Sequence, residues 1–321
     1  MKSASLQEPT RHRSGLRRLL SRPVVQTAYF VLLLALTAYY LVRGGSNLPA
    51  LFDRLNWSLV GLAGLILLAS TLLYIFIQYT IYRGMGVRLT FRQVFSIVCP
   101  AQLGKYVPGK VLLPGSYYLL SRQAGVDVRE IGGSFLISMA LWLVAAVVCS
   151  LYAFSALSPV LRLGAVLLVV LLLVSVHPRV LSLMFRVSAR VLQRLGRTVS
   201  AERLDQALSL PYHFYLKTLL LYLIAWFLVG LEVFVLIAAL QPVAITALPA
   251  SLAAAAIGTV VGFLALFAPG GLGVREGLGA LILAPVTSAE VAFFVLVLLR
   301  VMTVAVDLSF GGLGLLLGRK R

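Results

Sequence analysis

Two short stretches hold the residue types best suited to gripping an anion. The first is "GKYVPGK", residues 104–110, where Lys105 and Lys110 flank Tyr106, Pro108 and Gly109. Proline and glycine interrupt the backbone there and expose N–H groups beside two ammonium groups, the arrangement that takes a phosphate at a helix end. The second is "APGGLGVREG", residues 268–277, where Pro269, Gly270, Gly271 and Gly273 precede the adjacent pair Arg275–Glu276. Glycine lets a bulky group approach the backbone closely. Neighbours on a helix point about 100° apart, so Arg275 and Glu276 do not face each other and each needs a partner elsewhere. Lys105, Lys110 or Arg300 would serve for Glu276. Glu232, Arg300 and Asp307 complete the set as lone charges in apolar runs. Two readings remain open: lysines that only snorkel to an interface and charges that only lock helices together, or a polar site.

The surroundings make these charges costly. The chain has 321 residues, 60% hydrophobic and 12% charged, with a mean hydropathy of +0.99. Soluble domains average about 45–50% apolar and about 25% charged. The composition therefore predicts an all-α polytopic membrane protein. The net charge of +18 comes from 28 basic and 10 acidic residues. The basic residues collect between apolar runs, which fits the positive-inside bias and contact with anionic lipid, and no nucleic-acid recognition motif accompanies them. Cys99 and Cys149 suggest no disulfide framework, and His12, His177 and His213 are scattered, so no metal site and no cofactor are expected. No nucleophile–base pair is evident, and the chain is not expected to be an enzyme.

Six segments are long enough to span a ~30 Å core: about 24–42, 58–82, 131–155, 160–177, 214–240 and 291–317. Two further apolar regions, 94–120 and 248–287, are broken by the stretches above. Each arm of 94–120 covers only ~15 Å, so the region is expected to enter and leave on one side as a re-entrant hairpin. The region 248–287 reads the same way, although its Ala-rich first arm nearly suffices to span. With the basic segment 1–22 in the cytoplasm, the loops holding Arg83, Arg88 and Arg92, then Arg122 and Arg129, then the basic segment 178–213, fall on that side. The terminal Arg319, Lys320 and Arg321 join them if 248–287 re-enters from outside. Residues 24–155 and 160–317 then have the same element order in opposite orientation, an inverted repeat within one membrane domain, 23–318. Arg186, Arg190 and Arg194 recur every four residues, opposite apolar positions, which predicts either an interfacial helix on anionic lipid or a solvated connector.

The paired motifs "GKYVPGK" and "APGGLGVREG", in this order and spacing, resemble the flippase-like membrane region of bacterial lysylphosphatidylglycerol synthases. The resemblance runs from about residue 20 to 318. It implies a multi-pass protein of the cell (inner, cytoplasmic) membrane that moves a polar-headgroup lipid between leaflets. The lipid would be an aminoacylated phospholipid or a prenyl-phosphate-linked glycolipid. By the resemblance the matching positions are Pro108, Gly109, Lys110, Pro269, Gly270, Gly271, Gly273, Glu276 and Arg300. Read as ending at Arg321, the chain is expected to lack an aminoacyl-transfer domain. The alternatives are an ion-coupled carrier of a small anion, or a non-transporting partner of a lipid-modifying enzyme. Membrane lipids are the expected partners, with a homo-oligomer or a lipid-synthesising enzyme as further candidates.

Overall fold

A computed structural model of the chain describes residues 48–106, 112–156, 158–175, 177, 180, 210–265, 271 and 273–318. They belong to one compact unit, Asn47–Arg321. The expected first span 24–42, the basic segment 1–22, Pro108–Lys110, Pro269, Gly270, the arginines 186, 190 and 194 and the terminal basic cluster lie outside the described residues.

Among the described residues every regular element is helical. In chain order they are α1 (Leu48–Asp53), α2 (Trp57–Gly84), α3 (Phe91–Gln102), α4 (Leu112–Gln123), α5 (Val128–Cys149), α6 (Pro159–Ser175), α7 (Tyr212–Ala238), α8 (Leu248–Leu264), α9 (Val274–Leu283) and α10 (Ala289–Gly318). Polar residues set several starts. Asn56 accepts the Ser58 N–H at 3.1 Å ahead of α2. Thr90 with Gln93, and Asp127 with Glu130, form capping boxes ahead of α3 and α5. Such caps satisfy N–H groups that lipid cannot.

Among the described residues five stretches are long and apolar enough to cross a membrane: Trp57–Gly84, Val128–Cys149, Tyr212–Ala238, Ile245–Leu264 and Ala289–Gly318. Four of them answer to expected spans. The expected span 160–177 forms α6, a shorter helix of 17 residues. The difference lies in Ile245–Leu264. The 3-10 turn Ile245–Ala247 runs directly into α8, so length and apolarity admit as a full span what the sequence pattern suggests is one arm of a hairpin. The expected span 131–155 closes earlier, at Cys149, and continues as the 3-10 turn Leu151–Ala156.

Helices 2 and 7 pack along each other at the centre. The pairs α3–α4 and α8–α9 form two helical hairpins. The first arm of each lies against the last long helix of the opposite half: α3 against α10, and α8 against α5. Apolar side chains fill three buried clusters, around Ala254, Leu236 and Phe294, around Ile137, Leu141 and Tyr222, and around Ile75, Phe95 and Ile131. In lipid such packing rests on close approach more than on escape from water, hence the small buried residues of α8, Ala253 to Ala256 with Gly258 and Gly262. Leu65, Leu163, Leu171 and Leu281 stand exposed, as lipid-facing side chains do.

Candidate functional site

Between these helices lies a cavity of about 290 Å³. Its lining draws on α2, α3, α4, α5, α7, α8, α9 and α10, so both hairpins contribute. Three cations line it, Lys105, Arg275 and Arg300, with two carboxylates, Glu232 and Asp307. Each expected buried charge except Glu276 therefore meets in one space, Lys110 lying outside the described residues.

Lys105 and Tyr106 are delivered by the 3-10 turn Leu103–Tyr106 that ends α3. A straight helix is not continued because the arms of the first hairpin close on Gly104. A Cβ there would stand 2.6 Å from the Leu113 backbone nitrogen. The turn sends Lys105 towards α10, where its Nζ lies 2.7 Å from Asp307 Oδ2, the side chains 24% and 11% exposed. The Tyr106 hydroxyl donates to the same carboxylate. Both the Lys105 Nζ and the Arg300 guanidinium lie 5.3 Å from the centre of the Tyr106 ring, within the range of cation–π attraction. Tyr106 thus ties Lys105, Asp307 and Arg300 into one group.

Glu232, buried in the middle of α7, accepts a hydrogen bond from Ser70 of α2 at 2.7 Å. Ser70 also donates to the Leu67 carbonyl at 3.0 Å. One hydroxyl proton serves both, so the hydroxyl is held pointing between the helix backbone and the carboxylate.

Arg275 and Glu276 part company, as adjacent helix positions must. Arg275 enters the cavity, and its side chain and backbone rest on α8, where a Cβ at Gly258 would meet the Arg275 carbonyl at 2.8 Å. Among the described residues the Arg275 guanidinium makes no hydrogen bond and no ion pair. Glu276 turns back instead. Its Oε2 accepts the Gly273 N–H at 2.8 Å and caps α9, while Oε1 is buried without a partner. Gly271, at φ 79°, lies against Gly262, and a Cβ on it would stand 2.8 Å from the Gly262 Cα. Gly271 and Gly273 both take positive φ, the conformation open to glycine. They shape the turn into α9 and do not line the cavity.

The sequence pattern does not reveal a second, uncharged group. Gln78 donates to Ser138 and, at 3.1 Å, to Tyr222, and the Ser138 and Tyr222 hydroxyls lie 2.6 Å apart. Tyr74, Trp142 and Trp226 line the cavity beside them, and the Trp226 indole donates to the Trp142 carbonyl at 3.1 Å. A lone amide inside the apolar run 57–84 was the available signal, because polar side chains within membrane helices find partners across helices.

The cavity lining thus combines charged groups with hydroxyl, amide and aromatic groups. No curated protein matches the chain. The family model described as "Lysylphosphatidylglycerol synthase TM region" matches residues 24–311, nearly the whole chain, and this membrane protein belongs to that family.

Proposed function

We propose that this protein is a lipid translocase that carries a polar headgroup through the cavity between its two hairpins while the tails stay in the bilayer. The observation that carries the reading is the cavity itself, with Lys105, Arg275 and Arg300 in one space with Asp307 and Glu232. A phosphodiester crossing bare hydrocarbon loses its hydration without compensation. Fixed cations and hydroxyl groups replace that hydration along the way.

The same reading takes the hairpins as re-entrant and the two halves as an inverted repeat with six spans. The reciprocal packing, α3 on α10 and α8 on α5, favours it, since a twofold relation between halves maps one pairing onto the other. It takes the membrane as the cell membrane and both termini as cytoplasmic, on the distribution of arginines. Chemistry is not part of the role: the protein moves the lipid and makes or breaks no bond in it. Anionic lipids would meet Arg186, Arg190 and Arg194, and a second copy or a lipid-synthesising enzyme would be a natural partner.

A lipid with a photoactivatable headgroup tests the path. Cross-links are expected on cavity residues such as Met139 and Trp142. Cross-links confined to the exposed face around Leu163 and Leu171 would sink the reading.

A further inference from the structure

Three carboxylates lie inside the helix bundle, and Glu232 is held differently from the other two. Asp307 has the Lys105 ammonium at 2.7 Å and the Tyr106 hydroxyl. Glu276 has a backbone N–H. Glu232, 1% exposed in the middle of the unbroken helix α7, has one neutral donor, the Ser70 hydroxyl at 2.7 Å. Among the described residues it makes no ion pair. A carboxylate so placed inside a membrane protein is the mark of an ion path or a proton relay.

The Ser70 hydroxyl suits both charge states of Glu232. It lies between two acceptors, Glu232 Oε1 at 2.7 Å and the Leu67 carbonyl at 3.0 Å. With Glu232 ionised, the hydroxyl donates to the carboxylate. With a proton added to Oε1, the carboxyl O–H donates to Ser70 Oγ, and the Ser70 hydroxyl turns to Leu67. The exchange takes one hydroxyl rotation and leaves both helices in place. A metal cation is poorly served there. It needs several oxygen ligands, whereas α2 and α7 run unbroken past the site, with their carbonyls committed to helix bonds. Among the described residues no group of three metal-ligating side chains occurs.

A second observation supplies a route. Ser70, Tyr74, Gln78 and Tyr82 stand at every fourth position of α2, so they share one face over about 18 Å. Ser70, Tyr74 and Gln78 line the cavity together with Glu232. Gln78 bonds to Ser138 and Tyr222, and Tyr82 to Ser121 at 3.0 Å. The polar face leads from Glu232 to the end of α2 that carries Arg83. Polar walls around a cavity of about 290 Å³ give water the partners it needs to enter. The ionisable groups that share the cavity with Glu232 are Tyr74 on α2, Lys105 and Tyr117 in the first hairpin, Tyr222 on α7, Arg275 on α9, and Arg300 and Asp307 on α10, while α5 and α8 bring none to the lining.

We propose that Glu232 binds and releases one proton in each transport cycle, so that a transmembrane proton gradient drives the lipid between leaflets. The proposal rests on the translocase reading and adds its energy source. A proton arriving along the polar face of α2 neutralises Glu232, and its release restores the charge.

The test uses the full chain in proteoliposomes with a headgroup-labelled phospholipid and an imposed pH difference, the voltage being clamped at zero by potassium and valinomycin. For one proton per lipid, a difference of about one pH unit supports a leaflet ratio of up to about tenfold. The ratio is expected to shift under the gradient, to reverse when the gradient is reversed and to relax when a protonophore is added. Glu232→Gln, which has no ionisable carboxyl, is expected to lose the response, and Glu232→Asp to keep it. A wild type that moves the lipid but ignores the gradient overturns the proposal and leaves the translocase reading standing. So does a Glu232→Gln protein that responds as the wild type does. A wild type driven by a sodium gradient at constant pH makes the coupling ion a metal and overturns the proton assignment. A wild type that moves no lipid under any gradient removes both readings.

Discussion

Lys105, in the turn of the first hairpin, stands 2.7 Å from Asp307 in the last helix. The pair joins residues far apart in the chain, and both of them line the cavity. With the Tyr106 hydroxyl on the same carboxylate, it fixes the hairpin turn against α10.

Removing either partner strands the other in a partly buried site. Lys105→Ala and Asp307→Ala are each expected to cost about 3 kcal/mol. The double variant should cost less than the sum, with a coupling of about 1–3 kcal/mol. Unfolding in micelles across the four proteins of the cycle measures it, and strictly additive losses would deny the pair.

The Ser70–Glu232 bond makes a different prediction. Ser70→Ala leaves a buried carboxylate without its donor and is expected to cost about 1–3 kcal/mol. Ser70→Thr keeps a hydroxyl and should cost less. Thermal unfolding of the two variants side by side decides this, and equal losses would mean that packing alone matters at the position.

Arg275 depends on the absence of a side chain opposite it. A Cβ at Gly258 would stand 2.8 Å from the Arg275 carbonyl, whereas a Cβ at Gly277 on the same helix as Arg275 meets nothing within 4 Å. Gly258→Val is expected to displace α9, costing about 1–3 kcal/mol by overpacking and lowering lipid binding. Gly277→Ala is expected to keep binding and to gain about 0.5–1 kcal/mol from helix propensity. Stability and lipid binding of the two proteins together test it, and a Gly258→Val protein that binds lipid normally would contradict the seating of Arg275.

Glu276 acts locally. Glu276→Ala frees the Gly273 N–H and is expected to cost about 1 kcal/mol through loss of the helix cap. Glu276→Gln keeps an acceptor and should cost less. Hydrogen exchange at the start of α9 reads the cap directly, and unchanged protection in Glu276→Ala would refute the role.

Glu276 also marks where sequence reasoning reaches its limit. The breaks at "GKYVPGK" and "APGGLGVREG" are legible, because proline and glycine interrupt any helix, and the gathering of Lys105, Arg275, Arg300, Glu232 and Asp307 follows from the cost of burying each alone. The spacing Gly273–x–x–Glu276 is equally legible as a helix start. In sequence it suggests half of a distant ion pair instead, since a membrane charge invites the search for an opposite charge. The Lys105–Asp307 pairing is not legible, because several carboxylates are within reach and only the packing of α3 on α10 chooses among them. Gln78, Ser138 and Tyr222 escape notice for a simpler reason: they carry no charge, and attention to charge passes over them. The length of α8 depends on whether the turn Ile245–Ala247 continues into it, which composition does not determine.

The most direct measurement is the leaflet distribution of a headgroup-labelled phospholipid in proteoliposomes holding the purified protein. The account predicts that the wild type equilibrates the leaflets faster than protein-free vesicles and that Arg275→Gln loses most of that rate while keeping its fold. A wild-type protein that moves the lipid no faster than empty vesicles would contradict it.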